Sequence, residues 1–384
     1  MNNRARTKAI LNYEPYDRLP LVQFGYWTDT LLKWAAEGHI TREQALGHYF
    51  GNSIDIQLNK LLGWDFCWTC AFAWNNHLDP VLERRILEER PDGSRLIIDE
   101  NGMSFIEKPG VTSLPGEVDH LLKGREEWET IFMPRLQFEP GRIQRGRVKV
   151  EGQELRFDQG GRELLLRQDS SHPHGLYCGG LIGVIRDWLG LVNMSYLLVD
   201  DEPLFDEIAE TVCETTYQGV KTILETGIQF DFAHFWEDIC YRSGPLVNPR
   251  MFAAKFGPKY KRITDLLKLY GVKLVGVDCD GNIDALLPIW LENGVNIMFP
   301  IEMGTWQASI QPWRENYGKA IRGVGGVNKF VFGGGYADID AEIERLRPLV
   351  DLGGYIPCPD HGLPPDSRWE NVQYYCERMR KVFG

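Results

Sequence analysis

Residues 277–282 read VDCDGN and close an apolar run, GVKLVG (271–276). Asp278 and Asp280 lie two positions apart, so on an extended strand they face the same side. Carboxylates held that close repel each other, and the pair relaxes by taking a proton or by sharing a cation. A third group comes from the far end of the chain. His361 lies in DHGLPP (360–365), again after an apolar run. Two carboxylates and an imidazole are a set that zinc accepts in catalytic sites, with a fourth position open. The same residues also have a plainer use. Asp280-Gly281-Asn282 is good turn and helix-cap chemistry, and the two prolines of DHGLPP can hold a turn by themselves. Both uses stay open at the level of the residues.

Other polar and aromatic residues sit where apolar runs end. They include Tyr26 and Trp27, Trp74 with Asn75 and Asn76, Trp236 with Glu237 and Asp238, Glu302, and Cys358 with Asp360. Glu237 and Glu302 are candidates for a further ligand or for a proton donor. Tyr26, Trp27, Trp74 and Trp236 are candidates for an aromatic pocket wall, with Asn282 as a polar contact; each aromatic is equally at home in a core. His234 alternates inward on an apolar strand and reads as a core histidine. His172 and His174 flank Pro173 in polar text and read as surface-loop residues. Cys67-Trp-Thr-Cys70 has the spacing of a redox or zinc motif. Its surroundings, WDFCWTCAFAW, read instead as a buried strand with core cysteines.

Something must bring these ends together. Strand-like runs are expected at 19–27, 66–74, 174–183, 229–238, 272–281, 295–302, 329–337 and 353–362, most of them followed by a helical pattern. The runs are continuously apolar, as strands covered on both faces should be. Eight such units predict a (β/α)8 TIM barrel, whose strand ends point into one catalytic mouth. No G-x-G-x-x-G follows the first strand, which argues against a dinucleotide-binding sheet. Residues 75–170 break the rhythm with two-residue alternation and turn signals at Pro91-Asp92-Gly93 and Asn101-Gly102. They are expected to form a β-hairpin-rich insertion after strand two, a lid or docking platform over the mouth of a single 1–384 domain.

With 43% hydrophobic and 25% charged residues, the chain has mass for a large core and no run long enough to span a membrane. Its net charge of −12 disfavours nucleic acid and anionic membranes as partners. The N-terminal text lacks a signal-peptide core, so a cytoplasmic location is expected.

Four segments, ILNYEPYDRLPLV, VKLVGVDCDGNI, GVNIMFPIE and GGYIPCPDHGLPPD, resemble the uroporphyrinogen decarboxylase superfamily over nearly the whole chain. The resemblance implies a (β/α)8 barrel. The decarboxylases of that superfamily carry an arginine-rich segment after strand one to hold substrate carboxylates. This chain has FGYWTDTLLKW (24–34) there, with no arginine and with Asp29 as the nearest acid. The corrinoid-dependent methyltransferase branch binds zinc through HxCGN and a late cysteine. Those positions fall on Asp278, Asp280 and His361, so the places match and the ligand types differ. Carboxylates and imidazole make a harder centre, suited to an oxygen-bound methyl group. The resemblance therefore implies an O-demethylase-type methyltransferase. Its metal would be zinc on an atypical ligand set, and its methyl donor a methoxylated small molecule, aromatic for preference, or a methylated one. A separate corrinoid-binding protein would accept the methyl group, and a homodimer is admitted. The alternatives are a cofactor-free decarboxylase-like lyase and a non-catalytic ligand-binding barrel.

Overall fold

The computed structural model describes residues 1–108 and 116–384. Residues 109–115, inside the expected insertion, lie outside the described residues. The strands, in chain order, begin with β1 (Val22–Gln23), β2 (Phe66–Cys67) and β3 (Phe72–Ala73). There follow β4 (Arg85–Glu89), β5 (Arg95–Ile98), β6 (Met103–Glu107), β7 (Glu117–His120), β8 (Arg147–Val150) and β9 (Gln153–Arg156). The chain continues through β10 (Gly175–Gly179), β11 (Phe232–Trp236), β12 (Cys240–Tyr241) and β13 (Gly244–Pro245). It ends with β14 (Val275–Asp278), β15 (Ile297–Ile301), β16 (Arg322–Val327) and β17 (Tyr355–Pro359).

The main sheet runs β17-β16-β15-β14-β11-β10-β3-β8-β9. From β17 to β3 every pairing is parallel; the β8–β9 hairpin adds antiparallel to β3. β1 pairs with β2 in a separate parallel ladder. The chain just after β1 meets the chain just after β17 at a parallel bridge between Tyr26 and Leu363. Trp27 N–H donates to Leu363 C=O at 3.1 Å and Leu363 N–H to Gly25 C=O at 3.0 Å. The molecule is thus a mixed α/β structure with a large parallel sheet. All residues of β15 and β17 are buried, which is why those segments lack polar–apolar alternation. Strands β4–β7 form a four-stranded antiparallel sheet within 75–170. No helix among the described residues is long and apolar enough to cross a membrane.

One expected strand is misplaced. Lys329–Gly333 is a short 3₁₀ turn leading to the helix Tyr336–Asp351; the strand is the preceding RGVGGV. Its glycines have the weakest strand propensity and mask it. Packing requires them. Gly325 has φ +125°, and a Cβ there would collide with the Ile301 backbone nitrogen. Gly325→Ala is expected to lower stability by about 2 kcal/mol or more. Urea unfolding checks this, and an unchanged midpoint would refute the tight β15–β16 approach.

Candidate active site

The strand ends carry the acids. Asp278 is the last residue of β14; Glu302 and His361 follow β15 and β17, and Asp238 follows β11. The ligand atoms of Asp280, Glu302 and His361 lie within 4.8 Å of one another, as do those of Asp238, Asp278 and Asp280. Asp280 belongs to both groups. His361 Nε2 is 3.0 Å from Asp280 Oδ2, and His361 Nδ1 is 3.5 Å from Glu302 Oε1. Glu302 also accepts hydrogen bonds from the Gly281 N–H and, at 2.8 Å, from Thr305 Oγ1–H. Asp280 N–H donates to Asp238 Oδ1 at 3.0 Å. Asp238 holds a left-handed backbone, φ +45°, unusual for a residue other than glycine. Asp280 therefore caps no helix; the next one begins at Leu287. Asn282 accepts from Asp284 N–H and holds the turn.

The electrostatics follow from crowding. Burial, then Asp238, Asp280 and Glu302, push the Asp278 carboxyl well above its ordinary range. Burial and Asp280 lift Asp238 to about 6 and raise Glu302 as well. Burial alone would lower His361, but the Asp280 carboxylate carries it above its usual value. Among the described residues no lysine or arginine forms an ion pair with any of these four acids; Asp280 and Glu302 have only His361. Oxygen and imidazole donors with uncompensated negative charge fit a hard or borderline divalent cation.

A pH dependence follows. In the folded state each raised carboxyl, and the raised imidazole, keeps its proton to higher pH than in the unfolded chain. Their contribution to stability is complete at acid pH and is lost as pH rises through the folded values, near 6 for Asp238. Metal-free protein is expected to lose stability as pH rises through about 6, and added zinc to restore it at pH 7. Thermal unfolding across pH 5–8, with and without zinc, checks both.

Beside the acids lies a cavity of about 400 Å³. Phe24, Tyr49, Phe50, Trp68, Phe232 and Phe299 wall it, Cys70, Tyr177, His234 and Asp278 supply polar atoms, and Arg147 and Lys149 stand at its side. Trp68 stacks on Phe232 with ring centroids 4.7 Å apart, and Phe24 meets Phe299 edge-on at 4.5 Å. Asp278 joins this cavity to the acid cluster.

The aromatic residues singled out from the sequence lie elsewhere. Tyr26 is buried between Trp34 and His48. Trp27 is 44% exposed and precedes the helix Thr28–Ala36. Trp74 packs against Gly219 of the helix Glu202–Leu224 and donates to Tyr177 C=O at 3.2 Å. Trp236 sits across from Asp278 in the register, outside the cavity lining. Glu237 is fully buried and accepts from the amides of Leu181, Ile182 and Gly183, at 2.9, 3.0 and 2.7 Å, and from the Tyr260 hydroxyl. It caps the helix Gly183–Asp200 and is not part of the acid cluster.

His174 is not a surface residue: it is 1% exposed with both ring nitrogens unpartnered, and burial lowers its imidazole to about 4. Of the CxxC pair, Cys67 is buried as expected, whereas Cys70 lines the cavity. Sequence reasoning left Asp238, Trp68, His234, Phe232 and Phe299 unassigned as site residues. Strand parity offered a signal for two of them: Phe232 and His234 alternate in step on β11 and both line the cavity.

Comparisons add a likeness of fold. No family model and no curated protein matches the chain. Among solved structures, a B12-independent methionine synthase from Shewanella sp. W3-18-1, in complex with selenomethionine, is 13% identical. That alignment covers 95% of this chain and 99% of the other, with a TM-score of 0.46. A methyltransferase from Methanosarcina mazei is 15% identical over 100% of this chain and 99% of its own, with a TM-score of 0.60. At that identity the likeness is one of architecture, and this chain shares its fold with the Methanosarcina methyltransferase.

Proposed function

We propose that this chain is a methyltransferase that takes a methyl group from the oxygen of a methoxylated aromatic molecule and passes it to a corrinoid held by a separate protein. The observation that carries the reading is the junction at Asp278 of an aromatic cavity with an acid–histidine cluster. Asp280, Glu302 and His361 would hold a divalent cation, zinc for preference, with Asp238 and Asp278 beside it. When bound, the cation supplies Lewis acidity toward an ether oxygen.

The chain's own residues do the rest. Trp68, Phe232 and Phe299 clasp the arene and keep water from it. Asp278, facing the cavity with a raised carboxyl, gives its proton to the leaving oxygen. The methyl C–O bond breaks, the oxygen keeps the pair and takes that proton, and the methyl group would pass to a reduced, nucleophilic corrinoid presented by the partner protein. In this reading the strand set is a (β/α)8 barrel closed through the Tyr26–Leu363 bridge, and the antiparallel strands β4–β7 belong to a lid over its mouth.

The test is methyl transfer from a panel of methoxyarenes to a reduced corrinoid protein, using enzyme purified without chelators and assayed for metal. Transfer that needs both metal and arene supports the reading; none across the panel, with zinc loaded, refutes it. Arg147 and Lys149 beside the cavity favour one other reading, decarboxylation of an anionic ligand. It predicts carbon dioxide release without corrinoid.

A further inference from the structure

Two cations face the cavity from one strand. Arg147 and Lys149 lie two apart on β8, so their side chains share a face, and both line the cavity. Val148, between them, is fully buried on the other face, beside Gly161. Asp278 is the one acid among the described residues of the lining. Burial holds the His234 imidazole near 4, so it is neutral at physiological pH. In a chain of net charge −12, this cavity has a cationic flank.

Strand register sets the depth of that flank. Arg147 pairs with Ala73 and Val148 with Phe72 on β3. Phe72 is level with Leu176 on β10, and one step further Tyr177 pairs with His234 and His234 with Gly276. Arg147 therefore stands level with Gly276, two residues below Asp278 on β14, a drop of about 6.6 Å along the strands. Lys149 is two residues deeper again, where its N–H donates to Ala71 C=O at 2.8 Å. Asp278 thus marks one end of the cavity and the cations lie deeper, with Trp68, Phe232 and Phe299 lining it beside them.

Neither cation has a strong partner of its own. Among the described residues Lys149 forms no ion pair: its Nζ donates to Phe50 C=O at 3.2 Å and lies 3.7 Å over the Tyr49 ring. Burial lowers its ammonium from the ordinary lysine value by more than the Glu154 carboxylate raises it. Arg147 is paired with Glu154 at 2.9 Å, but its side chain is 70% exposed, and ion pairs of that kind contribute about 1 kcal/mol or less. Directly across from it on β9 stands Arg156, a like charge. A partly buried cation and a crowded one, both turned to one cavity, fit an anion that the chain does not supply.

We infer that Arg147 and Lys149 are specificity-determining residues that hold a carboxylate on the substrate, so that the methyl donor is a methoxylated aromatic acid. The inference rests on the cavity being the substrate site, as in the function proposed above, and names the substrate class for it. The ether oxygen lies at Asp278, next to the acid–histidine cluster, and the carboxylate lies deeper, against β8. Arg147 leaves Glu154 and donates two parallel N–H bonds to the carboxylate oxygens. The Lys149 ammonium adds a point charge and gains the counter-ion it lacks. A neutral arene of the same shape forfeits these charge-assisted bonds.

The test is equilibrium binding, which needs no methyl transfer. Calorimetry compares 3- and 4-methoxybenzoate with the corresponding methoxybenzamides, neutral probes of nearly the same shape, on the full-length protein. Wild type is expected to bind at least one of the acids about tenfold or more tightly than its amide, less so as salt rises. Arg147→Gln and Lys149→Met keep much of each side chain and lose its charge, and each is expected to erase most of that preference without weakening the amide. Arg156→Gln, on β9 and outside the cavity lining, is expected to change it less than about twofold, because a screened charge that touches no ligand contributes little. Circular dichroism and melting curves establish that the variants fold. Equal binding of acid and amide, no binding of any probe, or a preference that survives in the double variant Arg147→Gln/Lys149→Met overturns the inference. So does a preference that Arg156→Gln removes as fully as Arg147→Gln, or one that a chelator removes, since the acid would then answer to overall charge or to a bound cation. An acid preference without methyl transfer leaves the inference standing and removes the proposed reaction. Methyl transfer without the preference does the reverse.

Discussion

Asp280→Ala is expected to empty the acid–histidine cluster and to lower methyl-transfer turnover by at least about 10³-fold, the effect of removing roughly 4 kcal/mol of transition-state stabilisation. Asp280 is the one residue common to both groups of close ligand atoms. Its carboxylate is also the group that His361 Nε2 touches at 3.0 Å. Without it, His361 and Glu302 remain as one pair and Asp238 and Asp278 as another, and neither pair alone makes a tight divalent site. Elemental analysis is expected to fall from about one metal per chain to near zero.

A second readout separates this from simple misfolding. Asp280 raises the carboxyls of Asp278, Asp238 and Glu302, so metal-free Asp280→Ala is relieved of repulsion. It is expected to be at least as stable as metal-free wild type at pH 7. A variant that keeps its metal and its turnover would sink the site. A variant that loses both and also unfolds would show that Asp280 holds the fold and not the cation.

Glu237→Ala is expected to be the most destabilising single substitution at the strand ends, by about 3–5 kcal/mol. The side chain crosses from the end of β11 to the N-terminus of the helix Gly183–Asp200, which has no side-chain cap of its own. Three amides and the Tyr260 hydroxyl converge on its carboxylate. A carboxylate at a helix N-terminus satisfies orphan donors and meets the positive end of the macrodipole. Alanine leaves all four donors without an acceptor in a dry site. Glu237→Gln keeps the shape but turns a carboxamide NH2, itself a donor, toward the backbone N–H groups, and an intermediate loss is expected. Urea unfolding measures both. If Glu237→Gln abolishes turnover and leaves the unfolding midpoint in place, the capping role is wrong and the proton-donor role expected from sequence is restored.

That residue illustrates where local reading stops. The type and position of Glu237, an acid just past an apolar strand, were legible, and so were those of Asp278, Asp280, Glu302 and His361. Strand periodicity and the end of each apolar run are local properties, carried by a few consecutive side chains, and they located most of the parallel strands. They failed at RGVGGV, because there the requirement for glycine comes from Ile301 on the neighbouring strand β15 and from Tyr355 on β17, at the other side.

Which acid meets which partner is not local. Glu237 and Asp238 are adjacent in sequence, yet one turns outward to cap a helix and the other faces Asp280, helped by a left-handed backbone. Trp74, on the segment that also carries Trp68, goes to the helix layer, while Trp68 goes to the cavity. Residue type and spacing by themselves determined that acids, a histidine and aromatics would gather at the strand ends. Only the tertiary structure decided which of them share a cavity, because that depends on strand register and on neighbours far apart in the chain.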